Sequence, residues 1–329
     1  MKKLLYIIPL VLLLALLAAC GAPEETTATP VVATTTATET PASDFEYEIK
    51  SDNEIRIVKY VGDLSEVSIP RRIDDNYVTE VGESAFSGSS VVSVVIPDGV
   101  AKIGKNAFLS CSRLTSVALP NGLKEIGVRA FGDCQSLSNI ILPESLEIIG
   151  NYSFENCSDL KKVTVGKNVK TIGEAAFYNS GLETVSLENC KVESIEIYTF
   201  AGTDIKEVVL PSGVKSIGWQ AFSGCYELES VIFNEGLAKI DHLAFDNCKK
   251  LKEVIIPSTV KEINERSFDR CTSLEKIKFE GDAPETFYYF DPLNGSIWEA
   301  SDVHFKICYR ADAKGFTSPE WCGYETEIW

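Results

Sequence analysis

Histidine is nearly absent from this chain of 329 residues, with His242 and His304 the only two. That scarcity disfavours histidine-based metal centres and most acid–base chemistry poised near neutral pH. Basic residues are also in the minority, 31 Lys and Arg against 48 Asp and Glu, giving a formal net charge of −17. A surface of that sign is not drawn to phosphate backbones, so no nucleic-acid partner is expected. The short motifs that carry chemistry are missing too: there is no GxSxG, HExxH, P-loop or DxDxDG calcium loop. No CxxC pair offers a zinc site, and the scattered carboxylates form no repeated pair of the glycosidase kind. No cofactor, metal or catalytic residue is therefore expected. With 45% hydrophobic and 24% charged residues, the composition is that of a globular chain. At about 150 residues per domain, the length allows about two domains.

The amino terminus reads as an address. Lys2 and Lys3 precede an apolar run from Leu4 to Ala19, too short to span a bilayer, which needs about 20 residues. It ends in Leu17-Ala18-Ala19-Cys20-Gly21, which resembles the bacterial lipobox, with Cys20 as the lipidated first residue of the mature chain. Acyl chains on Cys20 would anchor the protein to a membrane. Residues 1–20 are thus expected to be a lipoprotein signal peptide. Residues 21–43, rich in Thr and Pro, have little to bury and are expected to form a disordered tether.

Beyond residue 75 a repeat takes over. Phe recurs at positions 86, 108, 131, 154, 177, 200, 222, 245 and 268, in steps of 22 or 23. One unit runs Leu114-Thr115-Ser116-Val117-Ala118-Leu119-Pro120, then Leu123, Ile126-Gly127, Ala130-Phe131 and Cys134. Leu114, Val117 and Leu119 alternate as in a strand, and Pro120 ends it. Leu123 and Ile126 point inward from a second extended turn. Gly127 is expected to make a positive-φ corner, a position where Asp241 and Asn264 also fit but Glu196 less easily. No coil can bury its apolar face alone, so ring is predicted to stack on ring along a solenoid.

The pattern resembles the BspA-like leucine-rich repeats. That likeness implies a leucine-rich-repeat solenoid with a short parallel β-strand per coil of about 23 residues. Residues 44–75 are expected to form an N-terminal cap built on a hairpin, residues 76–280 the repeats, and residues 281–329 a C-terminal cap. Where Cys follows Phe by three residues (Cys111, Cys134, Cys157, Cys225, Cys248, Cys271), the gap from Phe to the next leucine-type position is six; with Ser89, Ser180 or Thr203 it is five. The thiols are therefore read as buried, free fillers of a longer turn. One coil carries an extra residue near Cys190, where a bulge is predicted. Cys308 and Cys322, outside the repeats, are candidates for a disulfide.

Function is sought where coils differ. The outward position between two core residues of each strand runs Val95, Ala118, Ile141, Thr164, Ser186, Val209, Ile232, Ile255, Lys278. Six of these nine are apolar, in two groups parted by Thr164 and Ser186. Either β-branched residues simply suit strands, or Val95, Ile141, Val209, Ile232 and Ile255 belong to a partner-binding strip about 38 Å long, at about 4.8 Å per coil. Aromatics crowd the carboxyl end, including Phe287, Tyr288, Tyr289, Phe290, Trp298, Phe305, Trp321 and Trp329. They either fill the cap or stack on sugars. The BspA-like resemblance implies surface adhesion, and together with the lipobox and the missing catalytic motifs it gives the expectation of a non-catalytic scaffold of the bacterial cell envelope, lipid-anchored and extracytoplasmic, engaged in protein recognition or adhesion. The alternative is a carbohydrate-binding lipoprotein that contacts a glycan through its C-terminal aromatics.

Overall fold

Each repeat makes one three-sided turn of a solenoid in the computed structural model, which describes residues 38–51, 53–264, 266–287 and 305–329. Cys20, most of the tether, and Tyr288, Tyr289, Phe290 and Trp298 lie outside the described residues. The first side is a short strand paired in parallel with its neighbours in four groups, the pairing being interrupted between Ile140 and Lys162, Ser186 and Glu207, and Ile232 and Glu253. Val94 of Ser93–Val95 stands beside Val117 of Ser116–Ala118, Val163 beside Val185, Val208 beside Val231 and Val254 beside Ile277. Because the register is in step, one residue type repeats down each column, and the inward columns are apolar.

The second side consists of two-residue strands such as Lys102–Ile103, Glu125–Ile126 and Ile148–Ile149, which bury Ile103, Ile126 and Ile149 in line. This sheet is in two pieces: one ends at Thr171–Ile172 and the other starts at Ser194–Ile195. Cys190 falls at that break, where the extra residue was expected to bulge. A depression of about 500 Å³ opens there, lined in part by Thr171, Lys191 and Ser194.

The third side carries the phenylalanines and has no strands. Instead Phe86, Phe108 and Phe154 each donate a backbone N–H to the residue before the next Phe, at Ala107, Ala130 and Ala176, all at 2.7 Å. The nine rings form one unbroken spine, with successive centroids 4.9 to 5.6 Å apart. Phe45 and Tyr60, on the two strands of the N-terminal hairpin Phe45–Ser51 and Glu54–Tyr60, extend it through Tyr60, 5.1 Å from Phe86.

Two expectations are corrected here. Gly127 is not a positive-φ corner: a Cβ there would lie 2.7 Å from the Gly104 carbonyl carbon, 2.8 Å from the Ile103 oxygen and 2.9 Å from the Lys105 nitrogen. Glycine is needed because the coils touch backbone to backbone. The left-handed residues flank Phe at two positions before and two after, as at Arg129 and Asp133 (φ 52° and 58°) or Tyr152 and Asn156 (both 57°). Packed structure also begins earlier than residue 44. Thr40, within the stretch read as a tether, is buried, donates its N–H to Ser68 O at 2.8 Å and accepts the Ser68 N–H at 3.0 Å.

The six repeat cysteines are buried and free, and each thiol donates to a carbonyl of the preceding coil. Cys134 Sγ lies 3.1 Å from Phe108 O and Cys225 Sγ 3.2 Å from Phe200 O. In the shorter turns Ser180 and Thr203 donate instead to the carbonyl of their own Phe, both at 2.8 Å. Burial pushes the Cys225 thiol up to about 11 and raises Cys134 further.

Candidate interaction surface

On the outer face of the first sheet, parallel register sets the strip side by side. Val95 neighbours Ala118, Val209 neighbours Ile232, and Ile255 neighbours Lys278. Val95 is 40% exposed, Ile141 70%, Val209 37%, Ile232 57% and Ile255 42%. Thr164 and Ser186, paired with each other, divide the two groups. Beside Ser186 and Val209 the face sinks into a depression of about 410 Å³, also lined by Glu183, Lys206, Glu207 and Glu229. Charged residues rim the strip: Lys278 Nζ meets Glu253 Oε1 at 2.7 Å, and Lys206 meets Glu183 at 3.5 Å.

The outer face of the second sheet is of another kind. There Lys102 pairs with Glu125 at 3.0 Å, Lys239 with Glu262 at 3.1 Å, and Glu147 accepts from both Lys170 (2.7 Å) and Lys124 (3.2 Å). Hydrogen bonds from Lys170 and then Lys124 hold the Glu147 carboxyl below the usual range. These pairs are exposed and solvated, with little net effect on stability.

The family model for the BspA type Leucine rich repeat region matches in six copies, over residues 79–200 and 193–290. The chain belongs to this family. A solved leucine-rich repeat protein of T. pallidum is 30% identical, with 72% of this chain and 90% of that one covered, at a TM-score of 0.51. A leucine rich cell surface protein of Faecalibacterium prausnitzii shares the fold at 21% identity, with coverage of 88% and 94% and a TM-score of 0.56. No curated protein matches the chain.

In this BspA-type solenoid the described C-terminal aromatics other than Trp329 pack against the cap core. Trp321 is buried against Phe287, Phe316 and Phe279, at centroid distances of 4.6, 4.8 and 6.1 Å. Phe305 stacks on Tyr324 at 4.4 Å. Trp329 remains about half exposed, with Lys278 Nζ 5.3 Å from its ring centroid. The bridge considered for Cys308 and Cys322 is not formed, and both thiols are free. Strand register places Cys308 beside Glu327, while Cys322 occupies the tight turn between Trp321 and Tyr324. Three strand residues, about 10 Å, separate Glu327 from Tyr324, beyond the Cα reach of about 7 Å for a disulfide.

His242 is half-buried, its backbone N–H bonded to Asp241 Oδ1 at 2.8 Å. Among the described residues no group of three or more His, Cys, Asp or Glu is placed to hold a metal ion. No helix among them is long and apolar enough to cross a membrane. Sequence reasoning missed a surface cluster on the third side, where Tyr198 lies 5.9 Å from Tyr178 and 5.3 Å from Trp219. The signal for it is the placement of all three rings within three residues of a spine Phe, at Phe177, Phe200 and Phe222.

Proposed function

We propose that this protein is a non-catalytic binding scaffold of the bacterial cell envelope, lipid-anchored through Cys20, that recognises a protein partner through the first-sheet strip. One observation carries the reading: Val95, Ala118, Ile141, Val209, Ile232 and Ile255 are apolar and exposed in one column of a face turned to solvent. Contiguous apolar surface with a charged rim is the usual anatomy of a protein contact. The F. prausnitzii relative is described as a cell surface protein, which supports an envelope location. Adhesion is the role such a surface would serve there. A glycan site at the C-terminal aromatics has less support, because Trp321 and its described neighbours are committed to the cap core.

The test uses cells producing the full chain. Val209→Asp, Ile232→Asp and Ile255→Asp together should cut partner capture by surface cross-linking at least tenfold. Thr171→Asp, on the second sheet, should leave capture unchanged. Equal loss in both variants, or no loss in the first, would refute the strip. Cells fed a labelled fatty acid should incorporate it into the wild-type chain and not into Cys20→Ala; absence of label in the wild type, or equal label in both, would refute the anchor.

A further inference from the structure

Resting on the strip as a binding surface, we propose that its occupant is a second copy of this chain, docked face to face with the coils running in opposite directions. The two-fold axis would lie in the interface, along the strand direction, between Thr164 and Ser186. Such an axis reverses the order of the coils and keeps each strand column opposite itself. A surface that meets its own copy this way must be self-complementary about the axis.

The strip meets that requirement. From one end it reads Val95, Ala118, Ile141, Thr164, and from the other Ile255, Ile232, Val209, Ser186. Rotation therefore sets Ile141 against the partner's Val209, Ala118 against the partner's Ile232, and Thr164 against the partner's Ser186. Apolar meets apolar on both sides of the axis and hydroxyl meets hydroxyl at the centre, while the ninth residue of the column, Lys278, comes to face the partner's Ser68 at each end.

Charge follows the same symmetry. In the neighbouring outward columns Lys161 comes to face the partner's Glu183, and Glu66 the partner's Lys276. Glu207 and Glu253 face the partner's Asn139 and the partner's Ser93, neutral groups able to donate hydrogen bonds to carboxylates. None of these pairings sets like charges against each other.

Relief agrees as well. Ile141 is the most exposed of the strip residues at 70%, and Val209, which it would face, lies at the depression of about 410 Å³. The axis applies this knob-into-hollow contact twice. Eight coils at about 4.8 Å by a width of about 14 Å cover about 500 Å² per copy. The total of about 1,000 Å² lies at the lower end of specific interfaces. A weak dimer, dependent on concentration, is the expected outcome.

Cysteine cross-linking of the full chain in detergent tests the pairing. Ala118 and Ile232 are exposed, so substitution there does not disturb the core. Within one chain they are five coils apart, about 24 Å, far beyond disulfide reach. Ala118→Cys with Ile232→Cys should give a covalent dimer on mild oxidation, and mixing the two single variants should give the same species. Either single variant alone should stay at the wild-type background, which accounts for the native thiols. Ile141→Asp added to the double variant should reduce the cross-link at least tenfold. A folded double variant with no dimer above background would overturn the proposal, as would Ala118→Cys cross-linking alone. If no cross-link forms while strip substitutions still abolish capture of a different protein, the dimer is refuted and the strip's binding role survives. If neither occurs, both fail.

Discussion

Removal of one ring from the middle of the spine should divide the solenoid. Phe154 is fully buried, with Phe131 at 5.4 Å on one side and Phe177 at 5.3 Å on the other. Truncating a buried Phe to Ala costs about 3–5 kcal/mol through lost transfer energy and the cavity left behind. Stacked ring pairs contribute about 0.5–1.5 kcal/mol beyond burial. With a neighbour on both sides, Phe154→Ala belongs near 5 kcal/mol on that scale. Phe268→Ala, at a site slightly exposed and with one ring neighbour in the spine at 5.3 Å, belongs nearer 3 kcal/mol. Ile141→Ala, with only 30% of its surface covered, should cost about 1 kcal/mol. Stability in a stacked array is a sum of coil terms and neighbour terms, so a break in the middle uncouples the two halves. All four Trp residues (219, 298, 321 and 329) lie C-terminal to Phe154. Urea unfolding of Phe154→Ala should therefore show different midpoints by Trp fluorescence and by circular dichroism, whereas the wild type should show one. Coincident midpoints with a loss no larger than that of Ile141→Ala would refute ring stacking as the source of cohesion.

Other consequences concern the coil contacts. Gly127→Ala should cost about 1–3 kcal/mol by overpacking, since its Cβ would meet three backbone atoms within 2.9 Å. Gly122→Ala, with nothing within 4 Å, should leave the melting temperature nearly unchanged. Equal shifts for the two would contradict the close approach of the coils. The Cys225 thiol, raised from 9.0 to about 11, is neutral in the folded state at pH values where the unfolded chain ionises. Its contribution is therefore complete below pH 9 and lost as pH rises through about 11. Cys225→Ser should flatten that part of the stability–pH curve, and an unchanged slope would count against the burial account. Arg270→Ala should cost about 1–3 kcal/mol by leaving the Asp246 carboxylate, 2% exposed, with fewer donors. Ser223 Oγ, at 3.2 Å, would remain. Denaturant titration of the variant checks the loss.

What the sequence discloses follows from what stacking constrains. Inward columns must repeat, so Phe, Ile and Val at fixed spacing reveal the period, the spine and the strand positions. The thiols are legible for the same reason, because the turn length changes with them. The left-handed positions divide instructively. Two residues after Phe the chain uses Ser110, Asp133, Asn156, Asn179 and Gly202, a series that advertises positive φ. Two residues before Phe it uses Arg129, Tyr152, Tyr198 and Leu243 in the same conformation, and those side chains give no hint of it. Both positions are held by bonds between coils, as when Arg129 N–H donates to Asn151 O at 2.9 Å and Asp133 N–H to Glu155 O at 2.8 Å. The depression beside Val209 is illegible in sequence because its depth depends on how side chains from three coils project together, which no single repeat encodes.

The strip is the case where sequence leaves two accounts open, and the second sheet offers a comparison that bears on both. Both outer faces are parallel strands stacked in register, under the same preference for β-branched side chains. If that preference alone filled the outward column of the first sheet, the second should be apolar too. Its outward column instead runs Lys102, Glu125, Ile148, Thr171, Ser194, Ser216, Lys239, Glu262, with one aliphatic residue among eight. The chain can therefore build an exposed strand face from polar residues and does so on one side. Six apolar residues in the column from Val95 to Ile255 are then not explained by strand preference alone, which supports the proposed burial against a partner.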